Sequence, residues 1–98
     1  MLFVVRFSDK PDSLLLRERL MAQHLAWLDQ HRQTVLVAGS LRVEEDGAPV
    51  GGCWIVEAAR KADVQALLES DPFWVQGLRS SVEILHWSKA FPDRRTAV

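Results

Sequence analysis

The sequence has 98 residues, which suffices for one domain with a modest core, and its formal net charge is −1. That balance argues against a nucleic-acid binder with a basic face, and no apolar run approaches the roughly 20 residues that cross a bilayer. The N-terminus lacks the basic start and cleavage site of a signal peptide, and the single cysteine, Cys53, cannot form an internal disulfide. We therefore expect a cytoplasmic protein that binds neither nucleic acid nor membrane.

The first part of the chain predicts a strand, a long helix and a second strand. Residues 2–7 are apolar, with β-branched and aromatic side chains that favour a strand. A polar turn follows, in which Asp12 or Ser13 can cap the amphipathic helix predicted within residues 11–31. Residues 34–38 predict the second strand.

A hairpin is predicted to join the second strand to the third. Asp46 and Gly47 are typical of a tight turn with positive φ angles. The third strand is predicted over residues 50–57. Gly51 and Gly52 within it indicate either a bulge or a place where another group approaches closely.

The rest of the chain predicts a helix, a strand and a tail. The helix covers residues 60–70 and should end there, because Pro72 disfavours helical geometry for the residue before it. An irregular connection follows, and residues 81–87 predict the fourth strand. The remaining residues are polar, so we place the domain at residues 1–89 and a loose C-terminal tail at residues 90–98.

The order of elements is βαββαβ, which indicates an α+β protein. Right-handed crossovers and a hairpin between the two middle strands lead to a four-stranded antiparallel sheet with both helices on one face. We therefore predict the ferredoxin-like, split-βαβ arrangement.

The face of the sheet without helices should be polar in a monomer, with regular alternation along each strand. Here the alternation is poor, because apolar side chains are predicted on both faces; Val35 and Val37, for example, oppose Leu36 and Ala38. Short core strands could simply be apolar throughout, or the uncovered face could meet a second sheet. We favour the second interpretation and predict a homodimer that packs sheet to sheet.

A histidine and an arginine interrupt the apolar stripe of the long helix. Arg17 and His24 occur at three- and four-residue spacing with the apolar residues, so they share one helix face. The apolar residues of the stripe are Leu14, Leu20, Met21, Trp27 and Leu28. Because burying an unpaired polar group costs free energy, Arg17 and His24 must find partners or line a cavity.

Asp71 is the candidate partner of His24, because it follows the second helix, which lies beside the first on the same face of the sheet. A carboxylate that accepts from one imidazole nitrogen sets the tautomer and leaves the other nitrogen free for proton transfer. The plainer interpretation is a core or surface histidine and an aspartate that turns the chain ahead of a proline. The spacing alone leaves both interpretations open.

Four motifs, in this order, resemble the YciI-like family, also called the YCII-related domain. They are Asp9-Lys10-Pro11-Asp12-Ser13-Leu14 leading to Arg17, Ala22-Gln23-His24-Leu25-Ala26-Trp27-Leu28, Leu36-Val37-Ala38-Gly39, and Ser70-Asp71-Pro72-Phe73 followed by Gly77. The resemblance covers residues 1–89 and implies a dimeric α+β barrel of ferredoxin-like protomers with an active site at His24 and Asp71. It also implies similarity to dimeric α+β barrel enzymes that act on oxygenated aromatic compounds, including muconolactone isomerases.

The chain departs from the family pattern at two places. Met21 and Ala22 replace the Arg-Pro pair that often precedes the histidine, and Ser40 stands where a proline commonly follows Ala-Gly. The first change removes a possible anion contact. Arg17 either supplies that charge or is a solvated helix residue.

Arg17, Gly39, Ser40 and Phe73 are the predicted ligand-binding residues. Phe73 could wall a pocket for a flat ligand, and a glycine lets backbone approach a ligand. Cys53 is more typical of a small buried residue than of a nucleophile, and one cysteine with three scattered histidines makes a poor metal site. There is no phosphate loop and no dinucleotide fingerprint, so we expect neither a metal nor a cofactor.

These observations predict a small cofactor-free enzyme in which His24, oriented by Asp71, transfers a proton. The expected reaction is elimination or isomerisation of a small oxygenated aromatic or lactone-like substrate. The alternative is a non-catalytic dimer that binds a small ligand or a protein partner through the same cleft.

Overall fold

Four strands and three helices make up the fold in the computed structural model, which describes residues 1–98. The strands are β1 (Leu2–Asp9), β2 (Val35–Leu41), β3 (Gly51–Glu57) and β4 (Arg79–Trp87). The helices are α1 (Leu14–Gln30), α2 (Lys61–Leu68) and α3 (Pro72–Val75). Neighbouring strands are antiparallel and lie in the order β2-β3-β1-β4, so the predicted ferredoxin-like βαββαβ arrangement is confirmed.

The main hydrophobic core lies between the helices and one face of the sheet. β1 contributes Phe3, Val5 and Phe7, and the helices contribute Trp27 and Val64 to the same buried cluster. Because side chains alternate along a strand, the odd-numbered residues of β1 face the helices. Both longer helices therefore cover one face of the sheet and leave the other face uncovered. Neither helix combines the length and the apolar character needed to cross a membrane.

The predicted irregular connection after α2 contains a helix of one turn. α2 ends at Leu68, and Asp71 takes an extended conformation with ψ 129°, as expected for a residue before a proline. Pro72 stands in the first turn of α3, where its missing N–H is not needed, and the Asp71 side chain accepts from Phe73 N. Gly77, with φ +79°, then turns the chain toward β4.

Two predicted turn features differ from the structure. Residues 42–50 form a loop between β2 and β3 that is longer than a tight hairpin, and Gly47 N donates to Glu44 O within it (3.0 Å). Gly47 has no positive φ, because it holds the last position of this turn, where glycine is also common. Ser13 is the N-cap residue of α1, but its Oγ donates to Lys10 O (2.6 Å) and makes no capping bond to the helix.

A register shift in β2 changes which of its side chains face the core. The shift lies between Val35 and Val37. Val35 is buried in the core and Ala38 packs against it, whereas Val37 pairs with Ile55. The prediction that Val35 and Val37 share a face is therefore wrong, because one extra residue in a strand reverses the alternation beyond it.

The uncovered face carries an apolar row that crosses all four strands. Val37 pairs with Ile55, Ile55 pairs with Val4, and Val4 pairs with Leu85. The residues after Trp87 form no strand or helix, and a hollow of about 670 Å³ lies between residues 94–98 and this face. The uncovered face is thus apolar at its centre.

Candidate functional site

α1 carries two polar side chains into the protein interior. Arg17 and His24 are 6% and 7% exposed, and they share the buried face of the helix with Leu20 and Trp27. The three- and four-residue spacing in the sequence predicts this face. Each of the two polar side chains has a buried carboxylate as its partner.

The partner of His24 is Asp71, which is fully buried at the start of α3. His24 Nδ1 lies 2.7 Å from Asp71 Oδ1, and Phe73 N donates to the same oxygen at 3.2 Å. Because an ionised carboxylate can only accept, Nδ1 carries the proton and donates. The other imidazole nitrogen, Nε2, makes no hydrogen bond within the protein. Asp71 Oδ2 has no partner at all.

Phe73 holds the imidazole from its face. The rings of His24 and Phe73 are stacked, with centroids 3.8 Å apart and an angle of 12° between the planes. Asp71 is the N-cap residue of α3 and Phe73 lies within that helix, so one short segment supplies both the carboxylate and the stacked ring. The carboxylate therefore fixes the imidazole at its edge, and the Phe73 ring fixes it at its face.

The partner of Arg17 is Asp9, which is shared with a second arginine. Arg17 Nη1 donates to Asp9 Oδ2 and Arg79 Nη1 donates to Asp9 Oδ1, both at 2.7 Å. All three side chains are at least nine-tenths buried. Burial lowers the pKa of Arg17, and the positive charges of Arg79 and Arg42 lower it further, against the opposite effect of Asp9. We call Arg17, Asp9 and Arg79 the arginine–aspartate cluster.

Arg79 reaches Asp9 over two aromatic rings and a glycine. Its guanidinium carbon lies 4.4 Å from the centroid of Phe7 and 4.9 Å from that of Phe73. A Cβ on Gly52 would lie only 3.2 Å from Arg79 Nη2. Of the two interpretations of the glycines in β3, close approach of another group is the one that applies to Gly52.

A cavity of about 160 Å³ lies against His24 and the arginine–aspartate cluster. Arg17 and His24 of α1 line it together with Gly39 and Ser40 of β2, and Arg79 lies at its wall. Its apolar lining comes from Met21, Leu25, Leu28, Ala38 and Trp54. The cavity thus places an acid–base side chain, two guanidinium groups and a hydroxyl around a space for one small ligand.

The model of the YCII-related domain matches residues 1–88. The chain belongs to the YCII-related family. No curated protein sequence matches this YCII-related chain.

Among solved structures, the YCII-related chain is similar to the 5-chloro-2-hydroxyhydroquinone dehydrochlorinase of Burkholderia phenoliruptrix. The two are 30% identical with a TM-score of 0.82, over 90% of this chain and 94% of the other. That structure is a complex with 2,5-dihydroxybenzoquinone.

Two more distant structures share the fold alone. A protein from Bacteroides thetaiotaomicron, described as an antibiotic biosynthesis monooxygenase, has a TM-score of 0.59 and 14% identity over 99% of this chain and 95% of the other. Protein Atu4242 from Agrobacterium tumefaciens has a TM-score of 0.50 and 18% identity over 94% and 98%.

The predicted site residues of the YCII-related chain fall into two groups. Arg17, His24, Gly39 and Ser40 line the cavity. Asp71 and Phe73 are fully buried behind the imidazole and do not reach the cavity wall. Phe73 therefore contacts His24, and the wall of the cavity is made by other side chains.

Two charged residues of the site, Asp9 and Arg79, are not among the binding residues predicted from the sequence. Asp9 continues the odd-numbered positions of β1 that face the helices, so its position in the sequence could have indicated a buried carboxylate. Arg79 gives no such signal, because a register shift between Ser8 and Asp9 breaks the alternation of β4.

No three histidine, cysteine, aspartate or glutamate side chains gather into a set that could hold a metal ion. Cys53 lies in β3 opposite Arg6 and Gly39, on the uncovered face of the sheet and away from His24. It therefore has no place in the cavity of the YCII-related chain.

Proposed function

We propose that this YCII-related chain is an enzyme in which His24 Nε2 transfers protons to and from a small hydroxylated aromatic substrate. The observation that carries the proposal is the hydrogen bond from Nδ1 to a fully buried Asp71, beside a cavity that His24 lines. A histidine held in one tautomer presents Nε2 as a general base and, once protonated, as a general acid. Asp71 orients the ring and stabilises the imidazolium that forms.

The size and lining of the cavity support a ligand of one ring. A protein cavity of about 150 Å³ accommodates benzene, and the cavity beside His24 measures about 160 Å³. Leu28 and Trp54 offer apolar contacts, whereas Ser40 offers a hydroxyl that can donate or accept. A planar ring with polar substituents on one side matches this separation of apolar and polar lining residues.

The proposed reaction is elimination of hydrogen halide from a halogenated, polyhydroxylated ring. Nε2 removes a hydroxyl proton and returns it to the ring carbon that bears the halogen, which gives a keto tautomer. Nε2 then removes a second hydroxyl proton, its electron pair passes through the ring, and the carbon–halogen bond breaks with release of halide. The product is a hydroxyquinone, and the ring loses only one proton and one halide, so no oxidant is needed. The activity named for the Burkholderia relative supports this choice among proton-transfer reactions.

Turnover of 5-chloro-2-hydroxyhydroquinone tests the proposal, with chloride release and quinone absorbance as the readouts. We expect the wild type to release chloride, and His24→Gln and Asp71→Asn to lose about 10²- to 10⁴-fold in kcat. His86→Gln, at an exposed histidine outside the cavity, is the control and should keep the wild-type rate. Wild-type rates in both site variants would contradict the proposal, and tight binding without turnover would favour a non-catalytic ligand-binding dimer.

We also propose that two copies pair through the uncovered face of the sheet. The apolar row of Val37, Ile55, Val4 and Leu85 supports this pairing, because a small chain gains stability when such a surface leaves water. The pair interacts through identical surfaces, as a two-fold dimer requires.

A further inference from the structure

The arginine–aspartate cluster carries more positive charge than its own carboxylate can balance. Asp9 accepts one hydrogen bond from each of Arg17 and Arg79, so two guanidinium groups share a single negative charge. All three side chains are at least nine-tenths buried, so water screens this excess charge poorly. Counted by themselves, these three side chains carry a net charge of +1, and the buried carboxylate of Asp71 bonds to His24 instead of to them.

The cluster is also short of hydrogen-bond acceptors. Arg79 Nε is buried without any partner. A buried donor without an acceptor costs free energy, so the Arg79 guanidinium keeps unused capacity to donate hydrogen bonds.

The excess charge lies beside the proposed acid–base group. Arg17, Arg79 and His24 line the same cavity of about 160 Å³. Gly52 leaves room for the Arg79 guanidinium, since a Cβ there would lie 3.2 Å from Nη2. Aromatic rings of Phe7 and Phe73 hold Arg79 in place. The guanidinium groups are therefore positioned before any ligand arrives.

We propose that Arg17 and Arg79, which share the buried carboxylate of Asp9, form a binding site for an oxyanion of an aromatic ligand in the cavity that His24 also lines. This inference deepens the proposed function and takes from it only the role of His24. The ligand class is a single aromatic ring that carries an ionised oxygen, either a ring oxygen or a carboxylate. Guanidinium groups suit such oxygens because they donate several hydrogen bonds from one plane.

Such a site also has a consequence for catalysis. When His24 removes a proton from a ring hydroxyl, negative charge grows on the ring oxygens. Two guanidinium groups that are already in place stabilise that charge without reorganising. Arg17 and Arg79 are thus the residues that select anionic substrates, and Asp9 is the residue that sets the net charge of the cluster.

Binding of benzoate and of benzamide tests this inference, because the two probes have similar shape and differ in charge. The measured quantity is the ratio of the benzamide Kd to the benzoate Kd, from titration calorimetry or NMR. We expect the wild type to prefer benzoate by about tenfold to a hundredfold, as for hydrogen bonds to charged groups. His86→Gln, at an exposed residue outside the cavity, is the control and should keep that preference.

Three variants change the charge of the cluster in a predictable order. Arg17→Gln lowers the net charge from +1 to 0 and should reduce the preference for benzoate at least tenfold, whereas Asp9→Asn raises the charge to +2 and should increase it. The double variant of both substitutions returns the charge to +1 and should fall between the two single variants.

An unchanged preference in Arg17→Gln, or a decreased preference in a folded Asp9→Asn variant, would overturn the inference. If Arg17→Gln does not fold, the comparison of Asp9→Asn with the wild type decides alone. Benzoate binding requires no turnover, so the oxyanion site can fail while the catalytic proposal stands, and the catalytic proposal can fail while the oxyanion site stands.

Discussion

At the scale of single residues, Asp71 combines a structural and a chemical role. Its Oδ1 accepts from His24 Nδ1 and from Phe73 N, while Oδ2 is buried without a partner. A buried carboxylate with too few donors is unfavourable, and it persists where the surrounding structure determines its position. Its hydrogen bond to Nδ1 keeps the imidazole in the tautomer that leaves Nε2 free for the proposed reaction.

Replacement of Asp71 should affect stability in proportion to the hydrogen bonds that are lost. Asp71→Ala removes the N-cap of α3 and leaves His24 Nδ1 without its partner, so we expect a loss of about 2 to 4 kcal/mol in the free energy of unfolding. Asp71→Asn keeps the cap and should cost less. Asp29→Ala, which removes an exposed pair with Arg32, is the matched control and should change stability by less than about 0.5 kcal/mol. Urea denaturation measures all three, and an Asp71→Ala value as small as that of Asp29→Ala would contradict the assignment.

Phe73 should influence the rate through the orientation of His24. Phe73→Leu removes the stacked ring, so we expect kcat to fall about tenfold, because the imidazole loses its alignment. Phe3→Leu is the control, since Phe3 is equally buried but lies in the main core. Both variants should lose about 1 to 3 kcal/mol of stability, and only Phe73→Leu should lose kcat. Equal kcat values for the two variants would show that the stacking has no catalytic role.

At the scale of elements, the packing of β3 and β4 against β1 determines where the charged side chains Asp9 and Arg79 lie. β3 has Gly52 opposite Phe7 on β1, and the Arg79 guanidinium from β4 lies over this position. The Ser8/Asp9 register shift brings Asp9 opposite Arg79 at the end of the β1–β4 pairing. One glycine and one irregularity thus allow a charged group to lie where a regular sheet would place an apolar side chain.

A pair of alanine substitutions separates this role of glycine from its flexibility. In Gly52→Ala the new Cβ would lie 3.2 Å from Arg79 Nη2 and from Gly39 O, so we expect a loss of about 1 kcal/mol or more. Gly39→Ala meets nothing within 4 Å and should be neutral or stabilising by up to about 1 kcal/mol, because alanine orders at a smaller entropic cost than glycine. Thermal and urea unfolding of the two variants give the comparison. A Gly52→Ala protein as stable as the wild type would show that Arg79 moves without a cost in the free energy of unfolding.

The elements that follow a regular period could be predicted from the sequence, and so could the side chains they carry. The helical period placed Arg17 and His24 on the buried face of α1, and Pro72 indicated the end of α2 next to Asp71. Register shifts could not be predicted, because they depend on how a strand pairs with its neighbour and not on its own sequence. For that reason the predicted face of Val37 was wrong, and Arg79 was not predicted as a site residue.

At the scale of the whole molecule, the uncovered sheet face has a mixed surface that favours pairing in one register. The apolar row of Val37, Ile55, Val4 and Leu85 lies next to an ion pair in which Arg6 Nη2 donates to Glu83 Oε1 at 2.7 Å. In the proposed dimer, apolar contact supplies most of the association free energy, while charged groups restrict the orientation of the partner. Such a face favours a defined dimer over open-ended aggregation.

Sedimentation velocity over a dilution series tests the proposed dimer. We expect the wild type to sediment as a species with twice the 11.1 kDa mass of the chain. Ile55→Glu should shift it toward the monomer, because two glutamates near the centre of a two-fold interface would lose water and repel each other. Leu15→Glu, at a residue of α1 that is 75% exposed on the opposite side of the molecule, is the control and should leave the dimer intact. A wild type that stays monomeric at every concentration, or an Ile55→Glu variant that dimerises as well as Leu15→Glu, would place the interface elsewhere and leave the apolar row without a partner.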